Sequence, residues 1–147
     1  MSTDTDLIKL YSAQILALGA DMPRTARLKE PDATVRKRSP LCGSTVTVDI
    51  VLKDGAITDY GQDVKACALG QAAASVIGAV VVGLTHEDIR RGRDQLAAML
   101  KEGGPVPTAP FEGLKVLEPA RDYKNRHASI LLTFDAILEA IVTAQRP

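Results

Sequence analysis

The sequence predicts an α+β fold: a small antiparallel sheet of about three strands with helices packed on one face. Residues 44 to 52, Ser-Thr-Val-Thr-Val-Asp-Ile-Val-Leu, alternate apolar and polar side chains as a half-buried strand does. Asp54-Gly55 follows, a strong hairpin signal because glycine accepts a positive φ. Helix-patterned segments lie before and after this hairpin instead of alternating with strands, a segregation that marks an α+β chain. With 147 residues, 46% of them hydrophobic, residues 1–147 suit a single domain that holds its core without disulfides or a structural metal.

Residues 6 to 19 place Leu7, Ile8, Tyr11, Ile15 and Leu18 at helical spacing, and Gly19 supplies a stop. The stretch 21 to 40 is charged and broken by Pro23, Pro31 and Pro40, so it is expected mostly as loop, with a short edge strand over Thr34 to Lys37. In the strand Ser44 to Leu52, Val46, Val48, Ile50 and Leu52 share one face, and Thr45, Thr47 and Asp49 take the other. The return strand runs from about Ala56 to Lys65. A buried helix is expected from Cys67 or Ala68 to Val82, and another from Thr85 to Leu100, where Thr85 caps and Asp88 completes an acidic variant of the capping box. Residues 103 to 110, Gly-Gly-Pro-Val-Pro-Thr-Ala-Pro, break helices. A last helix carries His127, Ile130, Leu131, Phe134, Ile137, Leu138 and Ile141 at offsets of three and four, one apolar stripe.

Charge and composition exclude several functions. Eighteen basic residues balance eighteen acidic ones, which leaves no basic field for nucleic acid, and the absence of Trp with two Phe and three Tyr leaves few rings for base stacking. The apolar stretch from Ala66 to Leu84 is near membrane-spanning length, but its glycines, Gln71 and Ser75 suit a buried helix better, so no membrane partner is expected. Asp4 and Asp6 sit where a signal peptide needs positive charge, which makes the cytoplasm the expected location. The run Arg90, Arg91, Arg93, interleaved with acids, reads as a solvated helix face. No phosphate loop, nucleophile elbow or spaced carboxylate pair points to an enzyme. Ser75 and Ser129 fall within helices with no evident base.

The hairpin bears on the two cysteines. A two-residue turn at Asp54-Gly55 pairs residues whose numbers sum to 109, as those of Cys42 and Cys67 do; a three-residue turn gives 108, which puts Tyr60 beside Val48 and leaves the cysteines one residue out of opposition. In either register the two thiols lie close together at the open end of the hairpin. Cys67 also stands where strand gives way to helix, and the free amides of a helix N-terminus favour a thiolate, the form that binds metal. As unpaired thiols of a reducing compartment, both serve equally well as ligands or as small core residues. His127 falls in phase with the apolar stripe near the start of the last helix, facing the core or a cavity at its edge.

Pro40-Leu41-Cys42-Gly43, the alternating strand, Asp54-Gly55, the second strand, Ala66-Cys67-Ala68-Leu69-Gly70-Gln71 and His127-Ala128-Ser129-Ile130-Leu131 together resemble the U-type iron–sulfur cluster scaffold family of IscU, SufU and the N-terminal domain of NifU. The similarity covers about residues 7 to 144. It implies an IscU/NifU N-terminal-like fold and a non-catalytic scaffold that receives sulfur from a cysteine desulfurase, assembles a cluster with iron and passes it to acceptor proteins. Cys42, Cys67 and His127 match the family's first two cysteines and its histidine and would be the metal and cluster ligands. Ser44 stands where the family has an aspartate, and Ala128 where it has a third cysteine. Two thiolates and one imidazole suit iron, part of a cluster, or zinc with an open fourth position. A metal-free adaptor or regulator of a desulfurase system is the alternative of another class, beside a SufU-like zinc-binding protein. Residues 122 to 126, Asp-Tyr-Lys-Asn-Arg, lack the Leu-Pro-Pro-Val-Lys motif through which IscU-type members meet their chaperone, so that partner is not implied.

Overall fold

Asp54 and Gly55 both take positive φ, 53° and 81°, the backbone a tight two-residue hairpin turn needs. In the computed structural model, which describes residues 12–40 and 43–146, they join β2 (Thr45–Lys53) to β3 (Ala56–Lys65). Lys53 faces Ala56 and Leu52 faces Ile57, then the register shifts by one, so that Val51 faces Asp59 and the pairing continues to Thr45 opposite Lys65. Neither uniform register expected from sequence holds: pairs sum to 109 beside the turn and to 110 beyond the bulge at Thr58. Burial of Tyr60 explains the shift. A uniform sum of 109 would set Tyr60 opposite Asp49 on the polar face; the bulge sets it opposite Ile50, and its ring is buried with Val46, Val48 and Ile57.

β1 (Ala33–Arg38) pairs antiparallel with β2, giving the order β1-β2-β3 and confirming the expected edge strand. The outer edge of β3 is also engaged. Gln62 N–H donates to the Arg24 carbonyl at 2.9 Å, and Ile57 N–H donates to the Leu84 carbonyl at 2.9 Å.

Four α-helices complete the described residues. α1 (Ala13–Ala20) is capped by Ser12 and buries Ile15, while the expected stretch from residue 6 to 11 lies outside the described residues. α2 (Ala68–Val80) begins at Cys67 and ends two residues before the expected limit. α3 (His86–Glu102) opens with the expected capping box between Thr85 and Asp88 and stops at Gly103, whose φ of 65° is left-handed. Successive 3-10 turns over Glu112–Asp122, not anticipated from sequence, lead into α4 (Lys124–Gln145).

α4 departs from the expected single stripe. Ser129, Leu132, Thr133, Ala136 and Ala140 are buried along with the stripe residues, because the helix lies against β1, β2, α2 and α3 at once. Phe134 meets Phe111 edge to face with centroids 5.1 Å apart, over Gly92 of α3, where any Cβ would collide with Phe111. Among the described residues, α4 is the one helix long and apolar enough to cross a membrane, but most of its surface is buried inside this core.

The helices pack on one face of the sheet as expected. The opposite face is not simply solvated: Asp49 is fully buried there. Arg27 clamps it with two bonds, 2.5 Å from Nε and 2.9 Å from Nη2, while Leu28 N–H and the Thr34 hydroxyl donate at 3.1 and 2.6 Å. Gly61 of β3, the pairing partner of Asp49, admits this strap, since a Cβ at Gly61 would come 2.6 Å from the Ala26 carbonyl oxygen. Burial pushes the Asp49 carboxyl up, but the bonds from Arg27, Thr34 and Leu28 and the charge of Arg27 outweigh it and hold the carboxyl below the usual range. A carboxyl depressed in the folded state contributes stability above its unfolded value of about 4, and that contribution is lost as pH falls through the folded value. Asp49→Asn is therefore expected to cost about 2 kcal/mol at neutral pH by urea unfolding, with the gap to wild type closing as the pH is lowered below about 4.

Candidate functional site

The expected site residues lie around the starts of two helices. Cys67 is the N-cap residue of α2, with extended backbone and no side-chain capping bond, and its half-buried Sγ lies 3.6 Å from the Ser129 hydroxyl. Ser129 projects from α4, and its Oγ is 2.9 Å from that of Ser44, just before β2; both hydroxyls are buried. Gly70 makes this approach feasible, because a Cβ there would stand 2.7 Å from Ser129 Oγ. Ser44, Cys67 and Ser129 thus form one contact cluster. Cys42, which was expected to meet Cys67, lies outside the described residues.

His127 is buried in the first turn of α4, and its Nε2 lies 3.0 Å from the Ala120 carbonyl oxygen at the end of the 3-10 turns. A carbonyl only accepts, so Nε2 carries a proton, and in the neutral ring Nδ1 presents the lone pair. Beside His127 opens a cavity of about 600 Å³ whose walls include Ala128, the end of β1, and Leu100 and Lys101 of α3. Cys67 is not in those walls. Among the described residues, no group of three or more His, Cys, Asp or Glu side chains is placed to share a metal ion.

Ser129 is the residue that sequence reasoning passed over. It appeared as a helical serine without a base; its relevance comes from a contact with Ser44, 85 positions away in sequence. The arginine run also divides. Arg90 pairs with Glu87 and Asp94, and Arg91 with Asp88, on an exposed face as expected, whereas Arg93 turns into the cavity and bonds Asp135 of α4 at 3.0 Å.

No family model matches the chain. The crystal structure of the N-terminal part of a nitrogen-fixing NifU-like protein from Brucella abortus is 47% identical in sequence, with a TM-score of 0.91, over 95% of this chain and 97% of that one. The chain belongs to the U-type iron–sulfur scaffold family. The iron–sulfur cluster assembly scaffold protein IscU of Thermotoga maritima is 20% identical over 138 residues, 94% of this U-type chain and 96% of the relative. A candidate SUF-system scaffold from Fervidobacterium islandicum shares the fold, with a TM-score of 0.82 at 17% identity over 91% of this chain and 98% of that one.

In this U-type protein Ser44 is a neutral hydroxyl already bonded to Ser129, and Ala128 stands at the wall of an open cavity. The Ser44–Ser129 contact is expected to behave as a coupled pair. Ser44→Ala and Ser129→Ala should each cost about 1 kcal/mol, and the double variant less than their sum by about 0.5 kcal/mol or more, as read by a denaturant double-mutant cycle.

Proposed function

We propose that this protein is a non-catalytic scaffold in iron–sulfur cluster assembly, which holds iron or a nascent cluster as cargo through Cys42, Cys67 and His127 and yields it to acceptor proteins. The observation that carries the reading is the setting of His127. Its Nε2–H is anchored on a backbone carbonyl and its Nδ1 is left as a donor, the outer bond that ligating histidines characteristically make. Cys67 adds a partly accessible thiol at a helix N-terminus, where free amide groups favour an anionic ligand. Thiolate and imidazole are donors suited to iron–sulfur cargo and to zinc alike. Sulfur would come from a cysteine desulfurase, the donor that the family resemblance implies. The free thiol of Cys67 fits a reducing cytoplasm.

A second reading is favoured by the Ser44–Ser129 bond and by Ala128, which remove two of the family's ligand positions. On that reading the chain is a metal-free adaptor that binds a desulfurase.

Anaerobic reconstitution with iron and sulfide, followed by elemental analysis and visible absorption, separates the two. Wild type should take up iron and sulfide with charge-transfer bands. Cys42→Ser and Cys67→Ser should lose them while keeping their circular dichroism, and Ala128→Cys should hold the cargo longer. Zinc alone in every preparation would move the reading to the SufU-like zinc protein. A wild type that holds no metal but captures a desulfurase would establish the adaptor.

A further inference from the structure

The cavity beside Ala128 has a charge pattern that the scaffold reading does not use. Six cations line it: Lys37 and Arg38 from β1, Arg93 and Lys101 from α3, Arg121 from the 3-10 turns and Lys124 from α4, against one carboxylate in the wall, Asp135. Three of the six are matched. Lys37 bonds Glu139 at 3.0 Å, Arg93 bonds Asp135 at 3.0 Å, and Arg121 bonds Glu118 at 3.1 Å. Arg38, Lys101 and Lys124 have no ion-pair partner among the described residues.

Three unmatched cations supplied by three separate elements around one concavity repel one another, in a chain whose net charge is zero. Elsewhere on this surface the cations of the arginine run are matched by carboxylates one turn away. The start of α4 lies at the same opening, and its first turn holds no acidic residue.

The floor is apolar. Leu100, Leu131 and Leu132 are buried beneath the cations. A volume of about 600 Å³ falls in the range of small-molecule sites, and a charged rim over an apolar floor suits a compact ligand whose body leaves water as its anionic groups meet the rim.

We infer that this cavity binds a small polyanion carrying about three negative charges on phosphate or carboxylate groups, the number left unmatched by Arg38, Lys101 and Lys124. His127, a proposed cargo ligand, also lines this cavity, but Cys67 does not and the anion needs no metal, so binding to the metal-free chain is read independently of the proposed cargo.

Isothermal titration of the metal-free full chain at about 150 mM salt tests it, with pyrophosphate, ADP and citrate as trianions and acetate as control. At least one trianion should bind with a Kd below about 1 mM, acetate should not, and Lys101→Ala/Lys124→Ala should weaken binding roughly tenfold or more with an unchanged thermal midpoint. Binding of pyrophosphate and ADP without citrate assigns phosphate chemistry, and citrate alone assigns carboxylate chemistry. Failure of all three trianions overturns the inference, as does binding that the double variant leaves intact. A glutamate-rich peptide that binds where every small trianion fails would overturn it too, and would make the groove a docking site for an acidic protein segment.

Discussion

A helix enclosed on nearly every side must satisfy several neighbours at once, and α4 is under that constraint along most of its 22 residues. Successive residues on an α-helix turn by about 100°, so His127, Ala128 and Ser129 project in three directions. The first meets the Ala120 carbonyl, the second the open cavity, and the third the hydroxyl of Ser44 and the thiol of Cys67. Three consecutive residues thereby connect the 3-10 turns, the basic cavity and the thiol cluster. The position of each group follows from how α4 is packed, and the packing follows from small and apolar residues on all its sides.

Ser44 and Ala128 set the electrostatics of this junction more than its shape. An aspartate at position 44 would bring a negative charge into a buried site beside Ser129, where it would need a metal or a donor to remain ionised. A serine there is satisfied by a neutral bond and tolerates an empty site. Alanine at position 128 takes away a thiol without leaving a buried void, because that residue is exposed at the cavity. A neutral Ser44 and an exposed Ala128 therefore leave this junction without a buried charge that needs a cation beside it.

The hairpin, the edge strand and the capping box were legible in the sequence because each is set by local rules: alternation, an Asp-Gly turn, a Thr and an Asp three residues apart. The bulge at Thr58 was not, since it is decided by whether the Tyr60 ring or the Asp49 carboxylate shares a face with Ile50, a matter of tertiary packing. Asp49 misled for the same reason. Alternation assigns it to solvent, but Arg27, 22 positions earlier, folds over it. On α4 the apolar stripe was real yet narrower than the buried surface, because Ala136, Ala140 and Thr133 are too small or too polar to register as core in a pattern read for large side chains. Cys67 and His127 stood out from hairpin geometry and helical spacing, and their ligand role from resemblance to a family, whereas the Ser44–Ser129 bond and the basic cavity join residues too distant in sequence for any local pattern to connect.

Both features at this end of the molecule favour negative charge, for different physical reasons. The opening turn of α2 lies against α4: a Cβ at Gly70 would stand 3.3 Å from the Ser129 carbonyl oxygen, so the amide-rich starts of two helices are near neighbours. Like ends of helix dipoles repel, and an anion between or beside them relieves that repulsion. A thiolate-bound cluster is such an anion, and the cations around the cavity extend the positive field beyond the thiols. In a chain with no net charge, this concentration of positive potential has to be balanced by acids elsewhere, among them Asp59 and Asp63 on the far face of the sheet.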